Sequence, residues 1–133
     1  MNTEIFREYD IRGIAGQDIT EHDVFLIGKS VGTFLTERGH SQLTVGHDCR
    51  TTSDAYSEKI IQGLLSTGCD VTDIGVCSTP AFYFSIQHLK KQGGVMVTAS
   101  HNPKEYNGFK MCIDLDSIHG KDIQKILGII RNE

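Results

Sequence analysis

Apolar residues recur along this chain with two alternating periods, one near 3.6 and one of 2, and each run marks an element. Val24, Ile27, Val31, Phe34 and Leu35 fall on one helical face. Thr20 stands where an N-cap belongs, Asp23 follows three residues on as an imperfect capping box, and Gly39 ends the run. Leu43-Thr44-Val45 alternates and predicts a strand, followed by a turn from Gly46 to Thr52. Ser53 is the expected cap of a second helix with Ile60, Ile61, Leu64 and Leu65 inward and Gly68 as its stop. Val71 to Val76 reads as a second buried strand. Thr79 as a cap and Pro80 as the first helical residue predict a third helix, with Phe82, Ile86 and Leu89 as its apolar stripe. Gly93-Gly94 is expected to turn the chain into a strand at Val95-Met96-Val97-Thr98. Phe109, Met111 and Ile113 alternate with Lys110 and Cys112, so that strand turns Lys110 away from the core. Ile123, Ile126, Leu127 and Ile130 line a last helix. At the start, Ile5-Phe6 reads as a short strand, and Tyr9 to Gly13 as a lead into a loop.

About five strands and four helices in mostly βα order predict an α/β fold. The expected form is a three-layer α/β/α domain with a mixed, mostly parallel sheet and helices on both faces. The return from Val97 to Lys110 is the place for an antiparallel pair. The 133 residues suit one domain over 1–133, and a chain of this size buries about two-thirds of its unfolded surface. It needs no staple, which fits the cysteines. Cys49, Cys69, Cys77 and Cys112 show neither a C-x-x-C pair nor a zinc spacing, and read as reduced, mostly buried thiols.

Charge narrows the partners. Seventeen Asp and Glu against thirteen Lys and Arg give a net charge of -4, which argues against nucleic acid or an anionic membrane as the main partner. No apolar run approaches the ~20 residues that span a bilayer, and the polar start Met1-Asn2-Thr3-Glu4 lacks a signal-peptide pattern. The cytoplasm is the expected compartment.

Candidate chemistry concentrates in Thr98-Ala99-Ser100-His101-Asn102-Pro103-Lys104-Glu105. Ser100 follows an apolar strand and precedes a turn fixed by Asn102-Pro103, with Gly108 and Lys110 soon after. A phosphorylated serine carries about -1.5 to -2 charge and three acceptor oxygens, and needs the cations and backbone donors this segment offers. A serine hydrolase fits less well: G-x-S-x-G is absent, and neighbouring side chains such as Ser100 and His101 point apart on an extended segment. Walker A and G-x-G-x-x-G loops are absent too. Taken singly, Lys110 reads as an exposed strand lysine, Arg12 as a surface ion pair, and Asp48 and Arg50 as turn structure. The other histidines, His22, His40, His47, His88 and His119, read as surface residues.

Together these residues carry a resemblance. Thr98 to Pro103, continued by Tyr106-Asn107-Gly108-Phe109-Lys110, resembles the active-site serine loop of the α-D-phosphohexomutases. Phe6-Arg7-Glu8-Tyr9-Asp10-Ile11-Arg12-Gly13 is similar to the N-terminal signature of their phosphomannomutase/phosphoglucomutase branch, Gly46-His47-Asp48-Cys49-Arg50 to their G-x-D-x-R turn, and Thr79-Pro80 is a weaker match. The resemblance implies that Ser100 is a phosphoserine that exchanges a phosphoryl group with a hexose phosphate through a bisphosphate, and that its phosphate is one ligand of Mg²⁺. It implies that Arg12 holds the phosphoserine, Tyr9 lies near the sugar, and Asn102 orients the loop. Lys110 and His101 would flank the transferred group, with Lys110 the better acid/base. Hexose 1,6-bisphosphate is the implied activator. The family has four domains, and this chain resembles the first. The D-G-D-x-D-R metal loop of the second is absent, and Asp114-Leu115-Asp116-Ser117 does not replace it. The implied partners are a hexose phosphate and the remaining domains, and the single domain is expected to be inactive alone. The rival expectations are a non-catalytic module that binds sugar phosphates or a protein, and, less strongly, a small serine phosphatase or hydrolase.

Overall fold

Thr20 and Asp23 form a full capping box: the Thr20 hydroxyl accepts from the Asp23 amide at 3.1 Å, and the Asp23 carboxylate accepts from the Thr20 amide at 2.9 Å. That box starts α1 (Glu21–Thr36). The computed structural model of the chain describes residues 1–132. The elements run β1 (Ile11–Ile14), α1, β2 (Gln42–His47), α2 (Ser53–Leu65), β3 (Asp70–Val76), α3 (Thr79–His88), β4 (Gly93–Val97), β5 (Tyr106–Ile113), β6 (Asp116–Ser117) and α4 (Lys121–Arg131).

The strands lie in the order β1-β5-β4-β2-β3, with β6 also paired to β5. β2 pairs parallel with both β3 and β4, whereas β5 pairs antiparallel with β4, β1 and β6. Among the described residues β5 is therefore the one reversed strand in an otherwise codirectional sheet. The mixed, mostly parallel α/β/α expectation holds. The larger core cluster joins Val24, Ile27, Phe34, Ile60, Leu64, Ile123 and Ile126 of α1, α2 and α4 to Leu43, Val45, Val95, Phe109 and Met111 of the sheet. The smaller one joins Phe82 and Ile86 of α3 to Met96 and Cys112 on the opposite face.

Several local expectations are corrected. Ile5-Phe6 is not a strand: Thr3–Ile5 is a 3-10 turn, and Phe6 makes only an isolated bridge to Ile11. Tyr9 to Gly13 does not run into a loop, because Ile11–Ile14 pairs with Tyr106–Phe109 as the sheet's edge. Ser53 does not cap α2. It is the first helical residue, and its hydroxyl donates to Asp48. Ser78, not Thr79, caps α3, accepting from the Ala81 amide at 3.2 Å, with Thr79 and Pro80 already helical. β3 is a half-exposed edge strand, and Leu89 lies exposed beyond α3. Gly93-Gly94 is strand, not turn: a Cβ on Gly93 would sit 2.3 Å from the Cys112 carbonyl oxygen, and one on Gly94 2.3 Å from that of Thr44. The two glycines let β4 pass between its neighbours at backbone distance.

Candidate functional site

The loop that leaves β4 carries the serine, and the loop that leaves the adjacent parallel strand β2 lies beside it. Ligand sites in open α/β sheets form at such carboxyl ends. Ala99 anchors the first loop in the core. Ser100 follows, half-buried, with φ +54, a backbone state rare for a residue with a side chain. Its amide donates to the Thr98 hydroxyl oxygen at 3.0 Å, and the Thr98 hydroxyl in turn favours the charged form of the Asp48 carboxylate. The Ser100 Oγ has no hydrogen-bond partner among the described residues. It borders an open cleft of about 730 Å³ shared with Asp48, Cys49, Arg50, Thr51, Asn102, Lys104 and Glu105.

Two Asp-x-Arg tripeptides, Asp10-Ile11-Arg12 and Asp48-Cys49-Arg50, grip this loop from different sides. Arg50 spends every donor it has. Its Nε donates to Asp48 at 3.1 Å, Nη1 to the Pro103 and Tyr106 carbonyls at 2.7 and 3.2 Å, and Nη2 to the Ser100 and Asn102 carbonyls, both at 2.9 Å. A guanidinium has five N–H donors, so none remains for a ligand. Arg12 is different. Its Nε lies 3.0 and 2.9 Å from the two oxygens of Asp10, Nη2 lies 2.7 Å from Asp10, and Nη1 donates to the Asn102 side-chain oxygen at 2.6 Å. Among the described residues, one N–H on each terminal nitrogen stays unused. Asp10, only 1% exposed, is therefore the fixed anchor of a cation with donors to spare.

Burial alone would push the Asp48 carboxyl up. Hydrogen bonds from Ser53, the Arg50 amide and Thr98, with the Arg50 charge, outweigh it and hold the group below the ordinary aspartate value. Asn107, fully buried, ties β5 to the start of α2: its amide nitrogen donates to the Thr52 and Ser53 hydroxyls at 2.9 and 3.0 Å.

The sequence motif of the family described as "Phosphoglucomutase/phosphomannomutase, alpha/beta/alpha domain I" matches residues 3–133. The chain belongs to this family. A Pseudomonas putida phosphomannomutase/phosphoglucomutase is 41% identical over 123 residues, 92% of this chain and 27% of that protein. A Neisseria meningitidis serogroup B phosphoglucomutase is 38% identical over 130 residues, 98% of this chain and 28% of that protein. A crystal structure of a phosphoglucomutase/phosphomannomutase family protein from Burkholderia thailandensis superposes with a TM-score of 0.91 at 32% identity, covering 96% of this chain and 30% of that one. The chain thus spans just over a quarter of the length of the curated relatives it matches.

Within this domain I the six expected site residues do not all meet. Ser100, Asn102 and Arg12 are brought together by the Arg12–Asn102 bond. Lys110 shares their side of the sheet: Arg12 pairs with Gly108 across β1 and β5, and Lys110 is two residues farther along β5. It is half-buried beside Cys112, whose thiol burial pushes up to about 11, and it makes no ion pair with a carboxylate among the described residues. His101 is exposed, with no partner among the described residues. Tyr9, 70% exposed, packs its ring near His119 at 6.2 Å rather than against the serine loop. Gly108 is where β1 comes close to β5: a Cβ there would lie 2.1 Å from the Ile11 carbonyl oxygen. No set of three His, Cys, Asp or Glu among the described residues is placed to hold a metal, and no described helix is long and apolar enough to cross a membrane. Sequence reasoning assigned Arg50 and Asp48 to turn structure. The repeated Asp-x-Arg spacing was the signal for the clamp, since each aspartate binds the arginine two residues on.

Proposed function

We propose that this domain I supplies the phosphoryl-carrying serine of a phosphohexomutase that interconverts hexose 1-phosphate and hexose 6-phosphate. One observation carries the reading. Ser100, whose hydroxyl has no partner among the described residues, lines an open cleft on a loop held by two arginines, of which Arg12 keeps two donors free of those residues. Phosphoryl transfer is chiefly positioning and charge stabilisation, and these are the parts present.

In this reading a sugar hydroxyl oxygen bonds to the phosphorus of phosphorylated Ser100 as the Oγ–P bond breaks, and the hydroxyl proton passes to a base. Lys110 is the residue proposed for that proton. It lies on the Arg12 side of the sheet and makes no ion pair with a carboxylate of the described residues. The bisphosphate formed then returns its other phosphoryl group to Ser100. Arg12 would donate its spare N–H groups to the phosphate, while Asn102, bonded to Arg12, would hold the loop against that cation. His101 and Tyr9, both exposed, would meet the sugar from the solvent side. Mg²⁺ would take one oxygen from the serine phosphate. The described residues offer no further ligand set, so its other ligands would come from outside them. Hexose 1,6-bisphosphate would serve as activator, and the compartment would be the cytoplasm. The breadth of the family match and the short share of each relative also support further domains as partners.

The test is Ser100→Ala in the full polypeptide in which this domain occurs, assayed for hexose phosphate interconversion with bisphosphate present. Activity should fall to background, and peptide mass should place the phosphoryl group on Ser100 in the wild type only. An active Ser100→Ala enzyme refutes the reading.

A further inference from the structure

We infer that Arg50 is a positioning residue for Ser100 and contacts no substrate. The inference rests on the proposed serine chemistry and deepens it. Arg50 is 13% exposed in its side chain, and its five donors are all committed. Four of them go to carbonyls from the serine onward, those of Ser100, Asn102, Pro103 and Tyr106. One rigid plane thus fixes where the loop enters, at Ser100, and where it leaves, at Pro103 and Tyr106. The Ser100 backbone at φ +54 needs such support, because residues with side chains keep that state only where their surroundings over-determine it.

Two tethers converge on one carboxylate. Asp48 orients the Arg50 plane through Nε, and its charge is favoured by Thr98, whose oxygen accepts from the Ser100 amide at 3.0 Å. Ser53 and the Arg50 amide hold Asp48 in turn. The α2 start, the β2 exit and the serine loop are joined at that point. A lysine at position 50 keeps the charge but has three donors and no planar fork, so it cannot serve four carbonyls and Asp48 together.

In-line transfer is sensitive to such support: a misplacement of about 1 Å can cost 100-fold. In the full polypeptide, Arg50→Lys should therefore lower kcat about 100-fold while the KM for hexose phosphate stays within about twofold, since no substrate contact is lost. Rates are taken per folded, phosphorylated molecule. Amide exchange at Ser100, Asn102 and Tyr106 should quicken while that of β2 and β4 holds. Thr98→Val, which cuts the second tether and leaves Arg50 in place, should lower kcat in the same KM-independent way. It decides the matter should Arg50→Lys not fold. A rise in KM at unchanged kcat would make Arg50 a ligand contact, and an unchanged kcat per folded molecule in Arg50→Lys, or in Thr98→Val where that variant decides, would leave it a purely structural clamp. Either result overturns the inference while Ser100→Ala stays inactive. An active Ser100→Ala enzyme, or a wild type without transfer, instead removes the proposed serine chemistry and this inference with it.

Discussion

Two arginines two residues downstream of an aspartate do different work because their donors are spent differently. Asp10 takes only one edge of Arg12, so the cation is oriented and still able to bind. Arg50 is closed by four carbonyls and its aspartate. Residue type and spacing alone do not separate them, since the difference lies in loop carbonyls about 50 positions away in sequence. What the sequence did convey was the place of the serine loop directly after β4, because the apolar run Val95-Met96-Val97 that precedes it is local. A pH dependence follows from Asp48. A carboxyl held low in the fold contributes stability that is complete above its unfolded value near 3.8 and is lost as pH falls through the lower folded one. The amide resonances of Arg50, Thr98 and Ser100 should therefore titrate together below about pH 3.8. Asp48→Asn should abolish that shared acid step. A step that survives the substitution would place the acid sensitivity elsewhere.

At the scale of elements, α1 and α2 meet through glycines. A Cβ on Gly63 would lie 2.4 Å from the Phe25 carbonyl oxygen, and one on Gly28 2.6 Å from that of Ile60. Both neighbours are backbone, so neither can step aside. Gly63→Ala should destabilise the domain by about 1–3 kcal/mol through overpacking, read as a lower midpoint in denaturant at constant slope. Gly128 on α4 has nothing within 4 Å, and there Gly→Ala should raise stability by about 0.5–1 kcal/mol through helix propensity alone. Equal effects at both sites would show that the α1–α2 contact is looser than drawn. Sequence period found all four helices because each has its own apolar face. It found β5 through the alternation of Phe109, Met111 and Ile113 as well. It missed β1, which is four residues long and exists only because β5, some 95 positions later, pairs with it. It misplaced the starts of α2 and α3 by one residue, since Thr52 makes no side-chain cap and Ser78 and Thr79 are chemically alike at a cap.

Across the whole molecule the layers are unequal. Three helices cover one face of the sheet through a large cluster, whereas α3 alone covers the other through Phe82 and Ile86 on Met96 and Cys112. Val76 and Phe84, 67% and 63% exposed, stand open to solvent on β3 and α3. Local stability follows buried apolar contact, so α3 should open without the rest. The serine loop should not follow it. Arg50 and Asp48 hang from β2 and α2, and Arg12 from β1, so the clamp is built entirely from elements anchored in the larger cluster or paired to β5. Phe82→Ala removes the largest fully buried side chain of α3, a loss of about 3–5 kcal/mol for a core phenylalanine. Native-state hydrogen exchange should show the α3 amides of this variant exchanging faster through a local opening. Amides of α1, β2 and the Ser100 loop should shift only as far as global stability falls. If the Ser100 loop loses protection in step with α3, the two faces form one cooperative unit, and the loop depends on the thin layer and not on the thick one.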